Sequence, residues 1–221
     1  MHQSRVDAIV LAGGSSSRMG RDKALIELDG KTLLSRVLDA ASGLAQVDRI
    51  VVVGWRALPE RYGLDLKGIE CIPDEVPGLG PLAGVASGLA RVGTDHALVL
   101  ACDAPWPQQL LVSALVDRAV GADAVVPCWN DRPQVLFAVY ARSLLQLMRS
   151  ALDDGIRSVS ALLDRVPRLE LMSEETARNF DPSGLSFANL NTPEDLARVA
   201  EQRSPAAPAG APTVDAECLG R

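Results

Sequence analysis

The sequence predicts an α/β fold with a mostly parallel, doubly wound sheet and helices on both faces. Three observations carry this. Short continuous apolar runs such as DAIVLAGG, RIVVVGW and HALVLACDAP end in Gly, Trp or an Asp-Ala-Pro turn, the pattern of strands buried on both faces. Segments with apolar residues at helical spacing lie between them, so strand and helix alternate and neighbouring strands run parallel. The chain of 221 residues, 48% hydrophobic and 23% charged, has the composition of a single globular domain.

Taken in order, residues 7–14 are expected to form a buried strand running into a tight loop. In TLLSRVLDAASGLA, Leu33, Leu34, Val37, Leu38 and Ala41 share one helical face, and RIVVVGW follows as a second strand, completing a βαβ unit. The alternation continues with GIECIPD (strand), PLAGVASGLARVG (helix), HALVLACDAP (strand), PQQLLVSALVDRAVG (helix) and ADAVVPCW (strand). QVLFAVYA is then a strand, and RSLLQLMRSALDDG and SVSALLDRV are helices. NTPEDLARVAEQR is a last helix, with Asn191 or Thr192 as N-cap and Pro193 in its first turn. In such a sheet, ligands bind beyond the carboxyl ends of the strands where strand order reverses. The glycine loop after the first strand, Asp74 and Asp103 all fall at strand ends.

The net charge of −6 argues against an extended nucleic-acid surface, which needs clustered Lys and Arg, while leaving room for a local basic pocket. Cys71, Cys102, Cys128 and Cys218 are far apart, and His2 and His96 add no ligand cluster. No zinc or redox motif is therefore expected, and the thiols should be reduced and buried. No apolar run approaches the roughly 20 residues of a membrane span, and the first residues lack a signal-cleavage pattern, so a cytoplasmic location is expected. Residues 204–221 are rich in Pro, Ala and Gly without apolar periodicity. They read as a disordered tail behind a domain of residues 1–203.

A glycine-rich loop after a first strand lets backbone N–H groups approach phosphate oxygens. LAGGSSSRMGRDKAL fits neither G-x-G-x-x-G nor G-x-x-x-x-G-K-[ST], which argues against a dinucleotide dehydrogenase and a P-loop ATPase. Two adjacent glycines alone usually mark a turn. Arg18 and Lys23, just beyond them, add a guanidinium fork and a point charge in reach of a triphosphate, whereas Arg21 reads as surface charge. Asp103 closes an apolar strand between Cys102 and an Ala-Pro pair, where its carboxylate can hold Mg²⁺ against substrate phosphates. The competing reading of Asp103 is an N-cap for a helix beginning near Pro105.

The ordered set Leu11-Ala12-Gly13-Gly14, Arg18-Met19-Gly20, Asp22-Lys23, GPLAG at 80–84 and CDAP at 102–105 resembles the nucleotidyltransferases of molybdenum-cofactor maturation. The resemblance is to the molybdenum cofactor guanylyltransferases, the MobA family. NDRPQVLFAVY (130–140) and FANLNTPEDL (187–196) match as well, so the likeness extends from Val6 to Arg203. It implies a Rossmann-like nucleotidyltransferase fold and transfer of GMP from GTP to the terminal phosphate of Mo-molybdopterin, with release of pyrophosphate. It further implies that Leu11, Ala12 and Gly13, with Gly14 in the same loop, hold the nucleotide through their backbone. On the same basis Lys23 contacts the phosphates, Asp74 assists nucleotide binding, Asp103 holds Mg²⁺, and Arg18, Lys23 and Asp103 form the catalytic set. The implied partners are GTP and Mo-molybdopterin, then a molybdoenzyme or its chaperone, with neither nucleic acid nor membrane. One departure stands out: Gly54-Trp55 follows the VVV strand where family members often carry Asn, so that nucleotide contact is not implied here.

Related cytidylyltransferases tend to show LAAG and a Pro before the lysine; Gly13 and Asp22 take those places here and favour the guanylyl branch. In the reaction, negative charge grows on phosphate oxygens, so the protein must supply cations and alignment. No general base is required, because the acceptor phosphate is already ionised. Two alternatives stay open: a cytidylyltransferase or sugar-phosphate nucleotidyltransferase of the same fold, and a non-catalytic nucleotide or pterin carrier. GPLAG equally suits a helix start needing close packing, and Asn189 and Asn191 suit turn and cap positions. Arg132, Gln134 and the NLNTP stretch are the polar groups nominated for a pterin pocket.

Overall fold

Every residue of the strand Val6–Leu11 (β1) is buried, and the rest of the sheet is arranged around it. The structure, a computed structural model, describes residues 5–12, 23–28, 30–54, 68–73, 79–190 and 195. After β1 come a two-residue ladder of β2 (Glu27–Leu28) with β3 (Lys31–Thr32), then α1 (Leu33–Ser42), β4 (Val47–Val53) and β5 (Ile69–Ile72). They are followed by α2 (Pro81–Leu89), β6 (His96–Ala101), α3 (Gln109–Arg118), β7 (Ala124–Trp129), β8 (Arg132–Pro133) and β9 (Phe137–Ala141). The last elements are α4 (Leu145–Asp153), β10 (Leu169–Met172) and α5 (Glu174–Arg178).

The main sheet has the order β10-β7-β9-β6-β1-β4-β5, with β8 paired to β7. β1 lies parallel between β4 and β6, with Leu11 opposite both Val53 and Ala101. The chain winds outward from β1 through β4 to β5 and then returns to β6 on the other side of β1. Strand order therefore reverses between β1 and β6, where a ligand crevice opens in doubly wound sheets.

The expected α/β architecture is present, with one difference in strand direction: β9 runs antiparallel to both β6 and β7. The cause lies in the connection. A parallel return needs a crossover of a dozen or more residues, usually a helix, and between Trp129 and Phe137 the chain makes only the small β7–β8 hairpin. Its turn residues Asn130 and Asp131 have φ of 51° and 57°, the left-handed pair of a two-residue hairpin suited to Asn and Asp.

Successive strand residues feed two cores. Ala8 and Val10 face Leu34, Val37, Leu111 and Leu115 of α1 and α3. Ile9 and Leu11 face Leu82, Val85, Met148 and Ala151 of α2 and α4. The α1 start is set by Thr32, whose hydroxyl accepts the Ser35 N–H at 3.1 Å, satisfying an orphan donor of the first turn.

Several expectations shift. SVSALLDRV is a 3₁₀ helix over Ser160–Arg165 rather than an α-helix. β10 and α5 occupy a stretch left without elements above, because LELM is only four residues long and is interrupted by a glutamate. Among the described residues only Cys102 is a buried thiol; Cys71 is exposed on the edge strand β5 and Cys128 is half-buried beside the hairpin. Of the expected last helix only Asp195 is described, and it is helical; the boundary at 203, the tail and Cys218 lie outside the described residues. Among the described residues no helix is long and apolar enough to cross a membrane.

Candidate active site

The reversal of strand order places the ends of β1 and β6 side by side. The Ala12 N–H donates to the Val53 carbonyl at 2.9 Å, and the Leu11 carbonyl accepts the Cys102 N–H at 3.0 Å. Sheet bonding thus occupies the N–H of Ala12 and one lone pair of the Leu11 carbonyl. Gly13, Gly14, Arg18 and Asp74 lie outside the described residues. Lys23 opens the one-turn 3₁₀ helix Lys23–Leu25, whose Ala24 is fully buried in the core shared with α1. Leu33 N–H to Ile26 O, at 2.9 Å, ties the end of this segment to the helix start.

Asp103 follows β6 in a turn closed by Ala104 N–H to Ala101 O at 3.1 Å, and its own carbonyl accepts the Leu190 N–H at 2.8 Å. The N-cap reading of Asp103 does not hold. Helix α3 begins at Gln109 with Gln108 as its cap residue, and the Gln108 N–H is taken by the hydroxyl of Ser186 at 3.0 Å. Asp103 is half-buried and lines a cleft of about 230 Å³. One wall of the cleft is the segment from Pro133 to Phe137; the other includes Ser186, Phe187 and Asn189. Of the groups nominated for a pterin pocket, Gln134 and Asn189 line this cleft, whereas Arg132 is exposed on the hairpin outside the lining.

Both walls are fixed from behind. Tyr140, fully buried, donates its hydroxyl to the Val135 carbonyl at 2.8 Å, and burial pushes its pKa up. Phe187 packs edge-on to Phe137 at 5.4 Å and against Trp129 at 5.1 Å. Arg178 lies 4.2 Å above the Trp129 ring, a cation–π contact. It also grips Glu174, whose second oxygen accepts the Asn130 N–H at 2.7 Å. Hydrogen bonding from Arg178 holds the Glu174 carboxyl below its ordinary range. Asp181, 1% exposed, accepts the N–H groups of Leu185 at 3.2 Å and Ser186 at 2.8 Å and the Ser183 hydroxyl at 3.1 Å. It caps the short 3₁₀ helix Leu185–Phe187 that carries the wall. Neither Asp181 nor Trp129 stands out in the sequence.

GPLAG is the start of α2. Pro81 is its first residue, and Gly80 has φ of 82°, where a Cβ would lie 2.8 Å from the Arg157 carbonyl oxygen. The same oxygen accepts the Leu82 N–H at 3.2 Å, so close packing by itself requires the first glycine.

Among the described residues no three His, Cys, Asp or Glu side chains cluster as a metal cage. A single carboxylate fits Mg²⁺ differently: that ion keeps an octahedral oxygen shell completed by substrate phosphates and water and takes only one or two carboxylates.

The model of the MobA-like NTP transferase domain matches residues 8–168. The chain is 34% identical over 201 residues to a probable molybdenum cofactor guanylyltransferase of Pelotomaculum thermopropionicum, covering 89% of this chain and 93% of that one. It is 31% identical to the molybdenum cofactor guanylyltransferase of Desulfosudis oleivorans, covering 86% and 92%. The crystal structure of molybdopterin-guanine dinucleotide biosynthesis protein A from Archaeoglobus fulgidus superposes with a TM-score of 0.73 at 31% identity, covering 89% of this chain and 98% of that one. A 2-C-methyl-D-erythritol 4-phosphate cytidylyltransferase from Thermus thermophilus superposes at 0.64 with 20% identity, a likeness of fold alone.

Proposed function

The chain belongs to the MobA-like NTP transferase family, and from that membership we propose that it transfers GMP from GTP to Mo-molybdopterin. The acceptor's phosphate oxygen attacks the α-phosphorus of GTP; the new P–O bond forms as the bond to the β-phosphate bridge breaks, and pyrophosphate leaves. The observation that carries the reading is Asp103, fixed where strand order reverses and lining a cleft walled by aromatic and amide side chains. A carboxylate beside the end of β1 suits a metal-bound triphosphate, and the adjoining cleft suits an acceptor that is a ring at one end and a phosphate at the other.

In this reading the loop of Gly13 and Gly14 turns backbone N–H groups toward the triphosphate, with Leu11 and Ala12 contributing backbone contacts to the nucleotide and Asp74 assisting. Arg18 and Lys23 carry the charge that develops on non-bridging and leaving oxygens. Asp103 holds Mg²⁺, which when bound neutralises phosphate charge. No side chain need remove a proton, since the attacking phosphate is already an anion.

The test is a single-turnover assay of the purified chain with Mo-molybdopterin, Mg²⁺ and each of GTP, CTP, UTP and ATP. Pyrophosphate and the guanine dinucleotide appearing together with GTP alone is the expected result. A CTP preference would move the chain to the cytidylyl branch, and nucleotide binding without pyrophosphate release would make it a carrier.

A further inference from the structure

Gln134 sits between the β7–β8 hairpin and β9, and its backbone N–H donates to the Pro127 carbonyl at 2.8 Å. Its side-chain nitrogen Nε2 donates to two backbone carbonyls, those of Trp129 and Arg132, each at 3.1 Å. Reversing the amide would set Oε1 against both carbonyl oxygens, so the hydrogen-bond network fixes which end is which. Both protons of Gln134 are engaged by its own hairpin, while Oε1 has no donor among the described residues, and the residue lines the cleft beside Asp103. A primary amide normally offers either polarity to a ligand. This one can offer only an acceptor.

The rest of the wall sharpens the consequence. Val135, Leu136, Phe137 and Phe187 supply an apolar lining to the same cleft. The hairpin carrying the two carbonyls is itself held, through the Asn130 N–H, by Glu174, and Trp129 is clamped between Arg178 and Phe187. The orientation of Gln134 is therefore built into the fold before any ligand arrives. A planar ring lying beside this wall would meet an acceptor and no donor from the Gln134 side chain, so at that position a ring edge bearing an N–H donor is favoured and an edge bearing a carbonyl is penalised.

We propose that Gln134 is a specificity-determining residue for the acceptor, its Oε1 receiving the exocyclic 2-amino group of the pterin ring. This rests on the reading that the acceptor is a pterin phosphate bound in the cleft. It adds which side chain discriminates the ring and by which polarity.

The test compares 6-carboxypterin with 6-carboxylumazine, which has a carbonyl in place of the 2-amino group, by quenching of their fluorescence on titration with the full chain. The native protein should bind the pterin about tenfold more tightly, the worth of one well-placed hydrogen bond. Gln134→Lys retains donors for the Trp129 and Arg132 carbonyls but presents no acceptor, so the preference should vanish or invert. The equal 6-carboxylates cancel the added charge from the ratio. Gln134→Met, uncharged and of similar length, should bring pterin binding down to the lumazine level if the lysine variant unfolds. Equal binding of the two probes by the native protein, binding of neither at millimolar concentration, or an unchanged preference in a folded variant would each overturn the proposal. Pyrophosphate release with GTP and Mo-molybdopterin tells the two readings apart: if it persists, only the assignment to Gln134 fails; if it is absent, the acceptor reading fails as well.

Discussion

The indole of Trp129 lies against the α-carbon of Gly184, leaving no room between them for a side chain. A Cβ built on Gly184 would collide with Cζ2 and Cε2 of the ring, and φ at this glycine is 67°. The contact joins the hairpin wall of the cleft to the wall carried by Leu185–Phe187. Gly184→Ala should therefore cost about 2–4 kcal/mol, from overpacking and from a left-handed backbone that alanine disfavours. Urea unfolding measures the loss. KM for the acceptor should rise while KM for GTP stays near normal, because the collision pushes on the cleft and not on the end of β1.

Asp181 makes a second prediction for the same wall. Its carboxylate is buried and accepts two backbone N–H groups and a hydroxyl. Removing it orphans those donors, each worth about 1–3 kcal/mol when left unsatisfied. Asp181→Ala should lower stability by about 2–5 kcal/mol, and hydrogen exchange at the amides of Leu185 and Ser186 should accelerate more than at those of β1. Uniform acceleration across the sheet would mean that Asp181 supports global stability only.

The two walls explain what the sequence discloses and what it conceals. Residues 8–11 of β1, 50–53 of β4 and 97–100 of β6 are continuous apolar runs, legible because burial on both faces leaves no polar position there, and Asp103 is legible as a carboxylate just beyond such a run. Antiparallel β9 follows only from the shortness of its connection to β7, which periodicity does not register. The Leu185–Phe187 turn has no period at all: it is held by Asp181 from four and five residues away and by Trp129, which packs directly against Phe187. Contacts between residues so distant in the chain leave no mark on local pattern. The locked amide of Gln134 is of the same kind, since the sequence shows a glutamine and not the two carbonyls that orient it.

At the amino-terminal ends of β7 and β10, Asp123 accepts the Arg168 backbone N–H at 3.1 Å and two guanidinium hydrogen bonds at 3.1 and 2.6 Å. Hydrogen bonding from the Arg168 side chain holds the Asp123 carboxyl below its ordinary range. A carboxyl depressed in the folded state adds stability that is fully present above its unfolded pKa, near 3.9, and is lost as pH falls from about 4 through the folded value. Glu174, held down by Arg178, acts with the same sign. Asp123→Asn should therefore lower the urea midpoint at pH 7 more than at pH 3, narrowing the difference between them. An equal loss at both values would show that the ion pair does not contribute to acid lability.

Lys23 and Asp103 are carried by different anchors, and their variants should separate accordingly. Lys23 is carried by a turn whose Ala24 is fully buried, so Lys23→Ala leaves that anchor in place. Loss of one cation that stabilises transition-state charge should cut kcat by a factor of about 10²–10³ with little change in the unfolding midpoint. Asp103→Asn keeps the backbone carbonyl that accepts Leu190 N–H, so the C-terminal wall stays docked. Its neutral amide is a far poorer ligand for a hard cation than a carboxylate, and turnover should become insensitive to Mg²⁺ between micromolar and millimolar while falling below that of Lys23→Ala. Titrating the rate against Mg²⁺ in both variants distinguishes the roles: Lys23→Ala should retain the native half-saturation, and Asp103→Asn should lose it. If both keep the native half-saturation, Asp103 is not the residue that holds the metal.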